Sequence, residues 1–355
     1  MKNPVVLFIL KRRPDFDPDK HTILGLSTGL FNSASFMSNM LIECGIDARI
    51  EVAIDNNCID KLVSLHKPTH IVIEALWVVP AKFTVLTKLH PTVKWIVRLH
   101  SEMPFLAGEG MALNWIGDYS QFPNIIIGVN APRMLEEIQT YLKIKNGWSE
   151  EYTAERIAYL PNYYPQTYVT KEYEMNKERI DIGCFGAVRP LKNHVLQAIA
   201  AIKFADHIGK KLNFHINVGR IESKGEPVLN NLKSLFEQLY DTGHSLIMNE
   251  WTPREEFLKL CSKMDIGLQV SFSETFNIVG ADIISQGVPL VGSIEIPWMD
   301  EVYTARAQYS DEIYKALLLT HVCPQHNVEC NQQKLTEYTD TTASVWVDYL
   351  KREIV

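Results

Sequence analysis

The chain has 355 residues, of which 46% are hydrophobic and 22% charged, with a formal net charge of −7. That length gives about two domains and a core large enough to need no disulfide or metal staple. The composition excludes a largely disordered chain, 18 Gly and 17 Pro exclude a collagen-like or linker-dominated one, and no apolar run approaches the roughly 18 residues of a membrane span.

The first apolar run, residues 5–10, passes straight into Lys11, Arg12 and Arg13, not into the small residues of a signal-peptide cleavage site. It is expected to be a buried strand. Strands follow at 49–53, 70–73, 95–99 and 124–129, and helices at 31–44, 59–66, 83–89 and 132–143. Short continuous Val/Ile/Leu runs separated by helices predict a parallel sheet covered on both faces. Residues 1–165 are therefore expected to form one doubly wound α/β unit. Residues 162–178 are polar and aromatic without a period, as in an interdomain linker. The alternation then resumes, with strands at 181–185, 212–218, 246–248, 266–270 and 289–291. Helices are expected at 192–207, 228–240, 254–263 and 278–286. Residues 166–334 are expected to be a second, smaller α/β domain. A helix over 335–355 has apolar spacing at Ala343, Val347 and Leu350.

Charge is nearly balanced over residues 1–165, with 16 basic and 17 acidic side chains, and acidic over 166–355, with 19 and 25. Neither part is a basic nucleic-acid platform. The six cysteines, Cys44, Cys58, Cys184, Cys261, Cys323 and Cys330, form no paired framework, which fits a reducing, cytoplasmic setting.

Open α/β units bind ligands at the carboxyl ends of their strands, and the default site for two in tandem is the cleft between them. The residues at those strand ends therefore matter most. The strand ending at Val270 is followed by a polar loop, Ser271 to Asn277, and a helix beginning near Asn277 or Ile278. A helix N-terminus offers unpartnered backbone N–H groups and the positive end of the dipole, which suits a diphosphate. Glu274 precedes the helix, and Asp282 follows it by eight residues, in the helix's second turn. Carboxylates accept strongly from hydroxyls, so the pair suits a hydroxyl-rich ligand. An ordinary buried unit with a solvated Glu and a helix-facing Asp would carry the same two residues. In the segment from Ile182 to His194, a strand ends at Phe185, Gly186 permits a tight turn, and Arg189 and Lys192 follow. A planar cationic fork and a point charge suit a pyrophosphate.

These segments resemble the nucleotide-sugar signature of retaining GT-B glycosyltransferases of the glycogen-synthase-like group. Ser271, Glu274, Phe276 and Gly287-Val288-Pro289 match its Ser-x-x-Glu loop, Gly-Phe-Gly-like turn and Gly-x-Pro. Asp282 stands for the second Glu of the Glu-x7-Glu pair and Asn277 for the second Gly. Arg189 and Lys192 match the Arg and Lys of the Gly-Arg-…-Lys-Gly/Asn loop, at a spacing of three. The resemblance implies a GT-B fold, two Rossmann-like α/β domains facing across a cleft, with the C-terminal helix crossing back to the first. It gives Glu274 to the donor sugar, Asp282 to the ribose hydroxyls, and the backbone N–H groups of Asn277 and Ile278 to the diphosphate. It gives Arg189 and Lys192 to the charge on the leaving diphosphate, with Gly186 and Phe276 in the same donor site. Gly29 would lie close to the diphosphate and acceptor, although Ser27 or Thr28 as a simple N-cap explains that segment equally well. His100, at a strand end, would position donor sugar and acceptor, or else be a loop histidine bonded to backbone. Leu160-Pro161-Asn162 resembles the family's Pro-Asn-Gly hinge, with Tyr163 in place of Gly.

The implied activity is hexosyl transfer from a nucleotide-diphosphate sugar such as a UDP-sugar, with retention and without a metal or other cofactor. The acceptor is open: a glycan, a lipid-linked glycan, a small molecule or a hydroxymethylated DNA base. Lys11 to Arg13 are either a contact for an anionic acceptor or a solvated run. A non-catalytic GT-B-like binding module and a nucleotide-sugar epimerase share the fold. Among weaker signals, His321, Cys323, His326 and Cys330 are four possible zinc ligands in what is expected to be a surface loop. His100-x-Glu102 lacks the Pro-Cys-x-x-Cys of a zinc deaminase. No P-loop, Gly-x-Ser-x-Gly or His-Glu-x-x-His is present.

Overall fold

A computed structural model of the chain describes residues 3–12, 16–17, 22–23, 29–174, 177–222 and 224–352. Contacts group the chain into two compact units: Met1–Pro165 with Thr339–Val355, and Gln166–Tyr338.

The first unit runs β1 (Val5–Lys11), β2 (Phe16–Asp17), β3 (Thr22–Ile23), α1 (Gly29–Glu43), β4 (Asp47–Ala53), α2 (Cys58–His66) and β5 (His70–Glu74). It continues with α3 (Pro80–Leu89), β6 (Lys94–Leu99), α4 (Met103–Leu106), α5 (Ala112–Tyr119), β7 (Ile125–Val129), α6 (Pro132–Asn146), α7 (Glu150–Ala154) and β8 (Ile157–Tyr159). Among the described residues its main sheet has six parallel strands in the order β4-β1-β5-β6-β7-β8. Period-two alternation sorts each strand between two cores. Leu7 and Ile9 join Ile71, Ile73, Trp95 and Val97 on one face. Val6, Phe8 and Leu10 join Val72 and Ile96 on the other, under Met37 and Leu41 of α1. Chain order reverses between β1 and β5, which puts a crevice at the carboxyl ends of those strands.

The second unit runs β9 (Arg179–Gly183), α8 (His194–His207), β10 (Lys211–Asn217), α9 (Gly225–Glu237), β11 (Ser245–Asn249), α10 (Arg254–Cys261), β12 (Ile266–Gln269) and α11 (Ile278–Ser285). It ends with β13 (Leu290–Ser293), β14 (Thr304–Ala305), α12 (Ser310–Val322) and the start of α13 (Pro324–Arg352). Its sheet, all parallel, has the order β11-β10-β9-β12-β13-β14. This is the nucleotide-binding order 3-2-1-4-5-6, reversing between β9 and β12. Helix α13 belongs to the second unit up to Tyr338 and to the first from Thr339, where Trp346 and Leu350 complete the α1 face of the core.

Two local expectations are corrected. Residues 321–330 are not a surface loop: they are the end of α12, a break at Cys323, and the first turns of α13. Asn327, buried among them, is bonded inward. Asn327 clamps Leu290 at both backbone atoms, accepting from its N–H at 2.8 Å and donating to its carbonyl at 2.9 Å. The C-terminal helix thus starts at Pro324, not near residue 335. In addition, the expected helix at 192 begins at His194, because 190–192 form a 3-10 turn and Asn193 takes a left-handed φ of 58°.

Candidate active site

In the second unit, the loops after β9 and β12 meet at the switch point, and buried side-chain amides knit them together. Asn193 donates to the Val270 carbonyl at 3.1 Å and the Ala307 carbonyl at 2.8 Å. Gln197 accepts from the Val270 N–H at 2.7 Å and donates to the Lys192 carbonyl at 2.7 Å. Gln269 donates to the Phe185 carbonyl at 3.0 Å and accepts from the Asn277 amide at 3.2 Å. Buried amides with satisfied partners fix such loops without reliance on the ligand.

On this frame Lys192 Nζ donates to Glu274 Oε1 at 2.5 Å, with both side chains about nine-tenths buried. The glycine before them is needed for its backbone. Gly186 has φ +115°, its N–H donates to Asn217 Oδ1 at 3.1 Å, and a Cβ there would lie 3.8 Å from Lys192 Cε. Asn277 caps α11: its Oδ1 accepts from the Gly280 N–H at 2.8 Å. Its φ is 62°, as is typical of Gly and tolerated by Asn, which accounts for Asn where the resembled pattern has Gly. Asn193, next to Lys192, has φ 58° for the same reason. Ile278 opens α11, whose first N–H groups have no partner within the helix. Ser271 Oγ, buried beside this loop, has no hydrogen-bond partner.

Other expected site residues are placed differently. Arg189 Nη1 donates to Glu222 Oε2 at 3.2 Å, and Arg220 also pairs with Glu222. Asp282 is buried in α11, where its Oδ1 accepts from Arg254 Nη2 at 2.7 Å. The Phe276 ring is buried against Trp298 and Tyr338, with centroids 6.1 and 5.6 Å away, and its carbonyl accepts from the Trp298 indole at 2.6 Å. Gly287 (φ +68°) leaves 2.5 Å between a built Cβ and the Val169 carbonyl, so the turn before β13 admits only glycine. His194, the first residue of α8, is fully buried with neither ring nitrogen bonded; burial, then Lys192 and Arg189, push its pKa down to about 3.

In the first unit, His100 follows β6 and its Nε2 meets Glu74 Oε2. Glu74 is the last residue of β5 and fully buried, and Arg98 of β6 donates to its other oxygen at 3.3 Å. Burial pulls the His100 pKa down more than Glu74 raises it. Burial raises that of Glu74, but Arg98 and His100 together bring it below the ordinary value. A neutral imidazole on an ionised carboxylate results. Glu102 pairs with Arg133. Gly29 is the first residue of α1. Ser27, Thr28 and Arg13 lie outside the described residues, and Lys11 and Arg12 are exposed. Sequence reasoning missed Glu74, Arg98, Arg254, Asn217 and the buried amides. A charged residue at the end of an apolar strand, or one place before it, was the available signal for the first two.

Tyr303 Oη and His326 Nδ1 are 2.6 Å apart, and Cys330 Sγ lies 3.5 Å from His326 Nε2. Among the described residues no group of three or more His, Cys, Asp or Glu side chains could hold a metal ion. The six cysteines are free thiols. No helix among the described residues is long and apolar enough to cross a membrane.

No family model and no curated protein matches the sequence. Solved structures do match. The chain is similar to trehalose-6-phosphate synthase OtsA at 12% identity and a TM-score of 0.69, covering 97% of this chain and 98% of that one. It is similar to sucrose-phosphate synthase from Thermosynechococcus elongatus at 10% identity and a TM-score of 0.69, covering 99% of each. It is also similar to S. aureus TarM, solved with Fondaparinux, alpha-GlcNAc-glycerol and UDP, at 14% identity and a TM-score of 0.58. That match covers 79% of this chain, which spans 55% of the TarM chain. The fold is GT-B, two Rossmann-like α/β domains.

Proposed function

We propose that this chain is a glycosyltransferase that takes its sugar from a nucleotide-diphosphate donor, a UDP-sugar in the first instance, and passes it to a sugar acceptor. One observation carries most weight: Gly186, the Lys192–Glu274 pair and the Asn277-capped end of α11 meet at the switch point of a 3-2-1-4-5-6 sheet. The names of the similar structures support the choice of donor and acceptor class: one was solved with UDP, and others are sugar-phosphate synthases. The action on DNA bases, the binding module and the epimerase have no observation of their own in their favour.

In the proposed reaction the glycosyl–oxygen bond to the diphosphate breaks, and negative charge grows on the leaving group. Lys192 and the N–H groups at the head of α11 stabilise that charge, with Arg189 beside them. Because the amide frame holds these donors before a ligand arrives, little reorganisation is required at the moment of reaction. Glu274 holds donor-sugar hydroxyls, and its pairing with Lys192 keeps it aimed. Asp282, reached through Arg254, lies at the ribose end. His100 positions the sugar and acceptor. The same proposal includes retention of anomeric configuration and turnover without a metal.

The test is nucleoside-diphosphate release from UDP-glucose, with hexoses, hexose phosphates and glycerol glycosides as acceptors, with and without EDTA. Acceptor-dependent UDP release that survives EDTA, with an α-linked product from an α-linked donor, is the expected result. No acceptor-dependent UDP release with any of these acceptors, using folded protein, would remove the proposal.

A further inference from the structure

We infer that Glu74 is a positioning residue for His100, held by Arg98, so that a buried relay sets the imidazole from the segment through which the chain leaves the first unit. The inference rests on the proposed role of His100 in transfer.

The parallel register of β5 and β6 sets Glu74 directly opposite Arg98. Both side chains are fully buried. Each oxygen of Glu74 has its own partner: Arg98 Nη1 at 3.3 Å on one, His100 Nε2 on the other. Nε and Nη2 of Arg98 are committed to the exit segment. Its Nε donates to the Leu160 carbonyl at 3.2 Å, and Nη2 donates to the Pro161 carbonyl at 3.0 Å and to Asn162 Oδ1. That segment is pinned in turn. The Trp346 indole donates to the Pro161 carbonyl at 2.9 Å, the Thr342 hydroxyl to the Asn162 carbonyl at 3.1 Å, and Asn130 to Asn162 Oδ1 at 3.3 Å. The guanidinium also lies 5.3 Å from the centre of the Trp346 ring.

Glu74 therefore has little freedom. Rotating it would strand a buried carboxylate and a buried guanidinium. An ionised carboxylate can only accept, so Nε2 of the neutral ring must carry the proton, and Nδ1 is the acceptor nitrogen. His100 is the end of the relay that reaches solvent, at 11% exposure against none for Glu74 and Arg98. A core ion pair with no further role would not require a histidine at that end.

Glu74→Gln keeps the size of the side chain and tests the relay. Arg98 would hold the carboxamide oxygen, which turns the NH2 group towards His100 and forces Nε2 to accept. The full chain is labelled with 15N in the imidazoles, and His100 is assigned by loss of its signals in His100→Asn. In the wild type the Nε2–H tautomer is expected, and in Glu74→Gln the Nδ1–H tautomer. An unchanged tautomer in folded Glu74→Gln overturns the inference. Should that variant not fold, Glu74→Asp keeps the charge for Arg98 but withdraws it from the ring by one methylene, and an unchanged kcat in folded Glu74→Asp overturns the positioning role. The tautomer readout needs no turnover, so it stands even if the transferase proposal falls. With UDP-glucose as donor and water as acceptor, kcat in Glu74→Gln should fall about 10–100-fold with little change in donor KM. A switched tautomer with unchanged kcat would refute the positioning role.

Discussion

Replacing Lys192 by methionine separates two effects that the structure assigns to one side chain. The Lys192 and Glu274 side chains are 11% and 8% exposed and 2.5 Å apart. Removing one partner of a fully buried pair costs about 3–5 kcal/mol, while a surface pair contributes about 0–1. At one-tenth exposure, Lys192→Met should cost about 2–3 kcal/mol, because it strands the Glu274 carboxylate. In a domain of this size that is a fall of roughly 4–12 °C in Tm. Adding Glu274→Gln removes the stranded charge, so the double variant should lose less than the sum of the singles by at least about 1 kcal/mol. Binding separates the residues. Lys192→Met loses a charge-assisted contact to diphosphate, about 1.5–3 kcal/mol, which is roughly 10- to 150-fold in UDP affinity. Glu274→Gln, assigned to the sugar, should leave UDP affinity nearly intact. Calorimetric titration of UDP with thermal melts of all four proteins provides both readouts. Additive singles together with wild-type UDP affinity in Lys192→Met would refute the reasoning.

Arg254→Ala should destabilise by about 3 kcal/mol, because it leaves Asp282 buried without its 2.7 Å partner; adding Asp282→Asn should recover part of the loss in denaturant melts. His194 has a folded pKa of about 3 against 6.5 unfolded, so the unfolded chain binds the extra proton and stability falls as pH drops from 6.5 towards 3. That contributes up to about 1.4 kcal/mol per pH unit, and His194→Phe should flatten the acid limb by this amount; an unchanged slope between pH 6 and 4 contradicts it. Gly225→Ala puts a Cβ 2.0 Å from the Val188 carbonyl, while Gly186→Ala meets only Lys192 Cε, in ordinary contact at 3.8 Å, at a strained φ. The first should therefore lower Tm more than the second, which should cost about 1–3 kcal/mol.

The sheets were legible because parallel strands, buried on both faces, read as near-continuous apolar runs: β1 is VVLFIL before its exposed Lys11. Loop positions were legible where a residue type answers a backbone need, as Gly186 and Asn277 do. Side-chain pairing was not. Glu74 meets Arg98 only because β5 and β6 are neighbours in register, and Arg254 meets Asp282 only because α10 packs beside α11. Nothing local in the sequence fixes either. Polarity also misled over residues 321–330, where Asn327, which suggests a loop, is buried and clamps the backbone of β13. Similarly, Phe276 matches a donor-site motif by its type, whereas its ring packs on Trp298 and Tyr338.

The central claim is that the switch point of the second unit holds a nucleoside diphosphate. Its most direct test is a thermal-shift panel of UDP, GDP, ADP and their common sugar conjugates on the full chain in EDTA. At about 100-fold over the dissociation constant, a bound nucleotide should add about 2.7 kcal/mol of stability. The account predicts a clear shift with one nucleotide, UDP foremost, that is lost in Lys192→Met. No shift with any of them, on protein that melts cooperatively, would contradict it.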